Sequence, residues 1–497
     1  MASVMPVPLR QLLAGVGGAL ISGNPDVSIT SIEVDSRRVE PGALFVCIVG
    51  ARDDGHRHAA SAVRAGALAV LAAHPVELPP EATLAIVPDT LAALSPIAAE
   101  FFGHPSDALT VIGVTGTNGK TTVAHFLESI MDAADSPFGI VGTLGARLAG
   151  EFLEELKNTT PFAHELQELL ARMRDASARG AVLEVSSHAL ALHRVDDIDF
   201  DVAVLTNVTQ DHLDFHKTFD EYRAAKGRLF EMVSRGGRKP PGVRVLNLDD
   251  GEGRRLATTS GRTMTYGVQS DDAVLQATDV NMERDGATFF VRSLRPAPFH
   301  IRLPGPFNVC NAMAAIAAAC ALDVDVEAIE EGLASVGEVP GRMMPIEART
   351  IGVYVDYAHT PDGMRNVLGA ARALTPGRVI CVFGCGGDRD ALKRPLMGRT
   401  AIDLSDLVIV TNDNPRREDP QSIIDGILAG MRNGIATPYE VVPDRAAAID
   451  RAVQLAADGD VVIIAGKGHE AYQLVGEQSL PFSDAAVARA AIEKHDK

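Results

Sequence analysis

The segment Thr115-Gly116-Thr117-Asn118-Gly119-Lys120-Thr121-Thr122 constrains this chain more than any other feature. It stands between a short apolar run, Leu109–Val114, and a stretch carrying Val123, Phe126, Leu127, Ile130 and Met131 at helical spacing. A strand, a glycine loop and a helix opening on Lys-Thr together make a phosphate cradle. Glycines let backbone amides wrap oxygens, the helix N-terminus favours negative charge, and the lysine reaches the terminal phosphates. The usual spacing wants a glycine where Val114 stands, so the loop is a shorter variant. A glycine-rich turn without a ligand is the plainer alternative. The ordered succession of strand, loop, Lys-Thr and amphipathic helix favours a nucleoside triphosphate, with the Thr121 hydroxyl offered to Mg2+.

Around this segment the chain alternates apolar runs with amphipathic stretches. Ala181–Val185 and Val202–Thr206 read as further buried strands, with a helix carrying Phe162, Leu166, Leu169, Leu170 and Met173 before them. Past Val339 the runs Gly352–Val355, Val379–Phe383, Leu407–Thr411 and Val461–Ala465 each end in a loop rich in Gly, Asp, Asn or Arg. Strands alternating with helices predict parallel sheets covered on both faces, and such loops converge on one crevice beyond the strand ends. The first 97 residues read as a smaller α/β unit, with Ser31–Val34, Gly42–Val49 and Leu68–Ala72 as strands and Leu12–Ile21 as a first helix. At about 150 residues per domain, 497 residues suit three α/β units: 1–97, a central 98–336 and a C-terminal 337–497.

Charge and cysteines narrow the setting. A net charge of −19 repels nucleic acid and anionic membranes, so phosphate must be gripped locally. The apolar run Ala312–Leu322 is too short to cross a bilayer. Five cysteines, Cys47, Cys310, Cys320, Cys381 and Cys385, fit neither a zinc site nor a disulfide framework, which suits a reducing cytoplasm. The expectation is a cytoplasmic monomer with no nucleic-acid partner and no membrane insertion.

Three positions invite chemistry. Glu184 ends an apolar strand where phosphate-loop proteins hold Mg2+, against the plainer reading of a solvated strand end. His212 and His216 could share a helix face, but no Glu follows His212 as a zinc-protease motif requires. Lys226 falls on the apolar face of a helix running through Phe219, Tyr222, Leu229, Phe230 and Val233. Its stem could pack while the ammonium reaches water, which spacing alone favours. Or it could be a desolvated lysine whose neutral amine takes up CO2 as a carbamate. Two glycine clusters, Gly15–Gly18 and Gly384–Gly387, lack the last glycine of a dinucleotide fingerprint, having Leu20 and Arg389 there.

Taken in order, the chain resembles the Mur ligase family of ATP-dependent amino-acid ligases over nearly its whole length. The motifs are Asp35-Ser36-Arg37, Gly116–Thr122, Asn158-Thr159-Thr160-Pro161, Glu184–Leu190, Asp211–Asp214, Tyr222…Lys226, Gly305…Asn308…Asn311, Gly341-Arg342, Asp356–His359 and Gly466–Glu470. The resemblance implies a substrate-binding N-terminal domain, a central ATP-binding domain and a C-terminal Rossmann-like domain for the incoming amino acid. It implies that ATP and Mg2+ drive addition of meso-2,6-diaminopimelate to UDP-N-acetylmuramoyl-L-alanyl-D-glutamate through an acyl phosphate, in peptidoglycan synthesis.

It also implies roles residue by residue. Lys120, Glu184, His212 and Lys226 would be catalytic. Thr121 and Glu184 would hold one Mg2+, and His212 with carbamylated Lys226 (N6-carboxylysine) the second. Gly116, Thr117, Asn118, Gly119, Thr122, Asn311, Arg342 and Asp356 would contact ATP. Val34, Ser36, Ala51 and Arg52 would grip the UDP end, and Asn158, Thr159, Thr160, Ser186 and Arg194 the muramoyl dipeptide. Thr160-Pro161 also reads as a helix cap. Diaminopimelate would meet Arg389, Asp413, Asn414, Pro415, Arg416, Gly466 and Glu470. Its second carboxylate suits an arginine fork, although an ordinary Asn-Pro turn with a surface arginine is the bland reading. Leu192 departs from the family, which often has Gln there. Two alternatives are a folylpolyglutamate synthetase, which shares the phosphate loop, and an ATP-binding scaffold without ligase chemistry.

Overall fold

A computed structural model describes residues 5–50, 53–283, 286–431 and 437–497. The strand Thr110–Thr115 lies inside the central sheet, parallel to Gly180–Glu184 on one side and Val202–Leu205 on the other. All three are buried on both faces past Thr110, as their runs of Val, Ile, Leu, Ala and Gly dictate. The sheet has 11 strands, and its parallel middle is extended by antiparallel hairpins, Gly145–Leu148 with Glu151–Glu154 at one edge and Gly286–Val291 with Phe299–Ile301 at the other.

Helix Lys120–Ala133 packs its apolar face on this sheet beside helix Pro306–Ala321. The latter contains most of the apolar run noted in the sequence and is buried almost all round. That is why it carries so little polar periodicity.

The C-terminal sheet has the order Met344–Ile346, Gly352–Asp356, Val461–Ala465, Val379–Phe383, Leu407–Val410, Tyr439–Val441, parallel except at its first edge. Chain order reverses around Val461–Ala465, the topological position where open α/β sheets form a crevice. The N-terminal sheet runs Leu20–Ser22, Thr83–Ile86, Ala69–Ala72, Ala43–Val46, Ser31–Glu33, antiparallel only at Leu20–Ser22.

The predicted first helix is not there. Residues Leu9–Leu12 make one turn, and Leu20–Ser22 is an edge strand. Gly15, Gly17 and Gly18 interrupt the run, and Gly18 adopts φ +75°, which a helix does not permit.

Beneath the crevice Arg445 and Asp484 form a bidentate ion pair, Nε–Oδ1 and Nη2–Oδ2 each 2.7 Å, with both side chains fully buried. Arg445 Nη2 also donates to the Ala465 carbonyl at 2.9 Å. Arg445→Met strands the Asp484 charge, so it is expected to cost about 3–5 kcal/mol in urea unfolding. Replacing both partners by apolar residues should cost much less. Equal losses would mean that the pair is not what holds these elements.

Candidate active site

The loop after Thr110–Thr115 closes on itself. Gly116 has φ +152° and Gly119 φ +88°, and a Cβ on either would strike Thr206 Oγ1 or Asn311 Oδ1. Thr117 N donates to the Asn207 carbonyl at 2.8 Å and Asn118 N to Asn207 Oδ1 at 2.9 Å. Lys120 folds back so that Nζ donates to the carbonyls of Gly116 (2.9 Å) and Thr117 (3.0 Å). Burial lowers its pKa, while Glu184 and Asp211 oppose that shift.

Glu184 lies at the end of its strand, 1% exposed. Its Oε2 accepts from Thr121 Oγ1 at 3.0 Å and from Thr143 Oγ1 at 3.0 Å, and its Oε1 from Thr143 N at 2.9 Å. Arg342 Nη2 donates to Thr121 Oγ1 at 3.0 Å. A hydroxyl and a carboxylate are hard oxygen donors, a set that fits Mg2+. Thr143, on the hairpin edge, carries no motif and was not foreseen.

Lys226 is 2% exposed, and its Nζ donates to the Gly116 carbonyl at 2.7 Å over the Tyr222 ring. Burial holds its pKa well below the ordinary lysine value, Lys120 lowers it further, and Asp211 opposes. The ammonium does not reach water. As an ammonium Lys226 is no metal ligand, and as an amine it offers nitrogen where Mg2+ prefers oxygen; only the carbamate would fit that role.

His212 flanks a short helix, Leu213–His216, in left-handed backbone at φ +54°. Burial pushes its pKa down, against the pull of Asp211, whose carboxylate is 3.3 Å from His212 Nε2. His216 does not share its task, since its Nε2 meets Ser187 Oγ at 2.9 Å.

Two cavities meet here. One, of about 430 Å³, is lined by Thr117–Thr122, Glu184, Asn311, Arg342 and Asp356. Asp356 accepts from Met343 N and Ala358 N, each at 2.7 Å, and burial raises its pKa. The other, of about 500 Å³, is lined by Asn158, Arg194, Arg389, Asp413, Asn414, Arg416, Gly466 and Glu470. Thr159, Ser186, Asp211, His212, Tyr357 and His359 line both.

In the second cavity, Asn414 Nδ2 donates to Glu470 Oε2 at 2.7 Å, and fully buried Lys467 donates to Asn414 Oδ1 and Glu470 Oε2 at 3.0 and 2.9 Å. Arg416 sits at φ +54°, its N donating to Leu474 O and its Nη1 to Gly387 O. Burial raises the Asp413 pKa against Arg445 and Lys467. Gly466, at φ +116°, leaves room for that carboxylate. Pro415 shapes the turn without lining the cavity. Gly384–Gly386, set aside as a failed dinucleotide motif, form part of the wall.

Thr160 is not a helix cap. The helix starts at Ala163 after Phe162, with Glu165 reaching back to Phe162 N at 3.2 Å. Thr160 Oγ1 instead donates to the Glu184 carbonyl at 2.7 Å, and Arg194 Nη1 to the Thr160 carbonyl at 2.7 Å. Leu192 ends the helix Ser187–Ala191 and has no polar side-chain atom to offer. Val34 and Ser36 lie in the turn after Ser31–Glu33 and line neither cavity. Ala51 and Arg52 lie outside the described residues.

Three family models match the chain. Residues 28–102 match the Mur ligase family catalytic domain, 114–319 the Mur ligase middle domain, and 341–468 the Mur ligase glutamate ligase domain. A UDP-N-acetylmuramoyl-L-alanyl-D-glutamate–2,6-diaminopimelate ligase of Syntrophomonas wolfei is 44% identical over 485 residues, covering 97% of this chain and 98% of its own length. The protein of that name from Gloeobacter violaceus is also 44% identical, over 98% of each chain. A solved structure of a ligase of that name superposes with TM-score 0.66 at 32% identity, over 99% of this chain and 100% of its own. A Mycobacterium tuberculosis folylpolyglutamate synthase shares the fold, with TM-score 0.63 at 18% identity over 81% of this chain and 94% of its own.

Proposed function

The chain belongs to the Mur ligase family, and from that premise we propose how it works as an ATP-dependent ligase that adds 2,6-diaminopimelate, in its meso form, to UDP-N-acetylmuramoyl-L-alanyl-D-glutamate in peptidoglycan synthesis. One observation supports the reading most: a phosphate cradle and an arginine-rich cavity share a wall of Thr159, Ser186, Asp211, His212, Tyr357 and His359. An acyl phosphate made on one side would meet an amine held on the other.

The side-chain carboxylate of the D-glutamate is a poor electrophile, and transfer of the ATP γ-phosphoryl group gives it a leaving group. Lys120, the loop amides and Arg342 would steady the charge spread over that group. Thr121 with Glu184, and His212 with carbamylated Lys226, would hold Mg2+, which when bound offsets phosphate charge and orients the reacting oxygens. Asn158, Thr159, Ser186 and Arg194 would orient the dipeptide, and residues 1–97, with Val34, Ser36, Ala51 and Arg52, its UDP end. We assign ATP to a domain of residues 98–336 and the amino acid to 337–497. No described helix is long and apolar enough to cross a membrane.

Diaminopimelate differs from lysine by a carboxylate, and Arg416 and Arg389 are the cations of that cavity suited to it. Phosphate release and product mass, with diaminopimelate and L-lysine supplied in parallel, test the reading. Product is expected only with diaminopimelate. Arg416→Lys keeps the charge but loses the fork, so its kcat/KM for diaminopimelate should fall about 10²-fold. Product with lysine instead would overturn the specificity, and product with neither the whole reading.

A further inference from the structure

Aminolysis needs a base. An amino acid arrives as an ammonium, and its nitrogen has no lone pair until a proton leaves. The base must stand where the two cavities meet and offer a free lone pair; the carboxylate lining both, Asp211, is turned to His212 Nε2 at 3.3 Å.

Three imidazoles lie near that junction. His188 lines only the amino-acid cavity, its ring packed against those of His212, Phe215 and His216. His212 has its Nε2 against Asp211 and is assigned above to metal. His359 lines both cavities. Its Nδ1 is 2.8 Å from the Tyr357 carbonyl. A carbonyl only accepts, so Nδ1 carries the hydrogen and, in the neutral ring, Nε2 carries the lone pair.

The groups facing the ring keep it neutral, and one of them can steady the imidazolium. Asp211 Oδ2 is 4.0 Å from His359 Nε2, too far for a hydrogen bond yet near enough to stabilise an imidazolium. Lys393 and Arg342 act in the opposite sense, and with burial they hold the resting ring neutral, its pKa pushed down to about 4. Lys393 stands in the wall of the amino-acid cavity. The Tyr357 ring flanks the imidazole at 4.7 Å.

We propose that His359 is the general base that takes a proton from the incoming ammonium, with Asp211 as its electrostatic partner. The reading rests on the ligase function above. His359 Nε2 accepts one proton, and the freed lone pair forms the bond to the acyl carbon. The tetrahedral intermediate then collapses by breaking the carbon–oxygen bond to phosphate, which leaves with the electron pair. The second nitrogen proton goes to the departing phosphate, and the imidazolium returns the first to solvent.

The steps can be separated. Hydroxylamine is a weakly basic nucleophile, neutral at assay pH, that captures acyl phosphates as hydroxamates without needing a base. His359→Asn and His359→Gln should form hydroxamate from ATP and the dipeptide at near wild-type rates. Ligation of diaminopimelate should fall about 10²–10⁴-fold and recover as pH rises and the free amine becomes available. Undiminished ligation would overturn the proposal. So would parallel loss of both products in both variants, because His359 would then serve ATP or the fold. Wild-type enzyme that makes hydroxamate but never the diaminopimelate product would instead sink the function proposed above.

Discussion

Lys120→Ala is expected to leave the fold intact and lower acyl-phosphate formation about 10³–10⁵-fold, the scale on which cations act in phosphoryl transfer. Its ammonium now donates to two carbonyls of its own loop, an arrangement that parks the charge beside the phosphate cradle. Glu184 and Asp211 attract it, Arg342 repels it, and its charge is felt at Lys226. Glu184 and Asp211 attract that ammonium more than Arg342 repels it, so removing it leaves the carboxylates less compensated and thermal stability should be unchanged or slightly lower. Both hydroxamate and ligated product must fail together, unlike in the His359 variants. A variant that still forms hydroxamate at the wild-type rate would show that the loop amides and Arg342 suffice.

Much of this site is local in sequence and therefore legible there. A strand, a glycine turn and Lys-Thr at a helix start lie within one short segment, and its backbone geometry follows from Gly116 and Gly119 having no side chain. Strand ends are equally readable. The loops carrying Asp356, Arg389, Asp413–Arg416 and Gly466–Glu470 do converge, because parallel strands bring their carboxyl ends to one edge. What was not legible arises from long-range pairing. Thr143 reaches Glu184 only because Phe138–Gly142 runs beside Gly180–Glu184. The antiparallel edge strands have partly exposed, irregular patterns that offer no clean period.

His359 shows a different limit. Its neighbours Asp356 and Tyr357 belong to a motif recognisable in the sequence, but the role of its ring depends on a carbonyl two residues back and on Asp211 from another domain. Lys226 marks the same limit from the other side. Helical spacing put it on an apolar face, where a reaching side chain was the ordinary expectation. The fold closes that escape by laying the phosphate loop across its amine.

Lys226→Ala should therefore lower ligation about 10³-fold, and short carboxylic acids such as propionate should restore part of the loss. Burial first, and repulsion from Lys120 second, hold the Lys226 pKa far below the usual lysine value. A neutral amine can add CO2, releasing one proton, and the cation becomes an anion. Repulsion toward Lys120 would then turn to attraction, and the carbamate would offer an oxygen donor for the metal proposed at His212. The sign of the pH effect follows: only the neutral amine adds CO2, so at fixed dissolved CO2 the CO2-stripped enzyme should regain activity faster as pH rises, until the amine is fully deprotonated. Carbon-13 spectra of enzyme in labelled bicarbonate should show one carbamate carbon that Lys226→Ala lacks. Lys226→Arg, which keeps a cation and cannot be carbamylated, should be as inactive as the alanine variant and unmoved by propionate. If the alanine variant turned over normally, the amine would be no more than a strut for the Gly116 carbonyl.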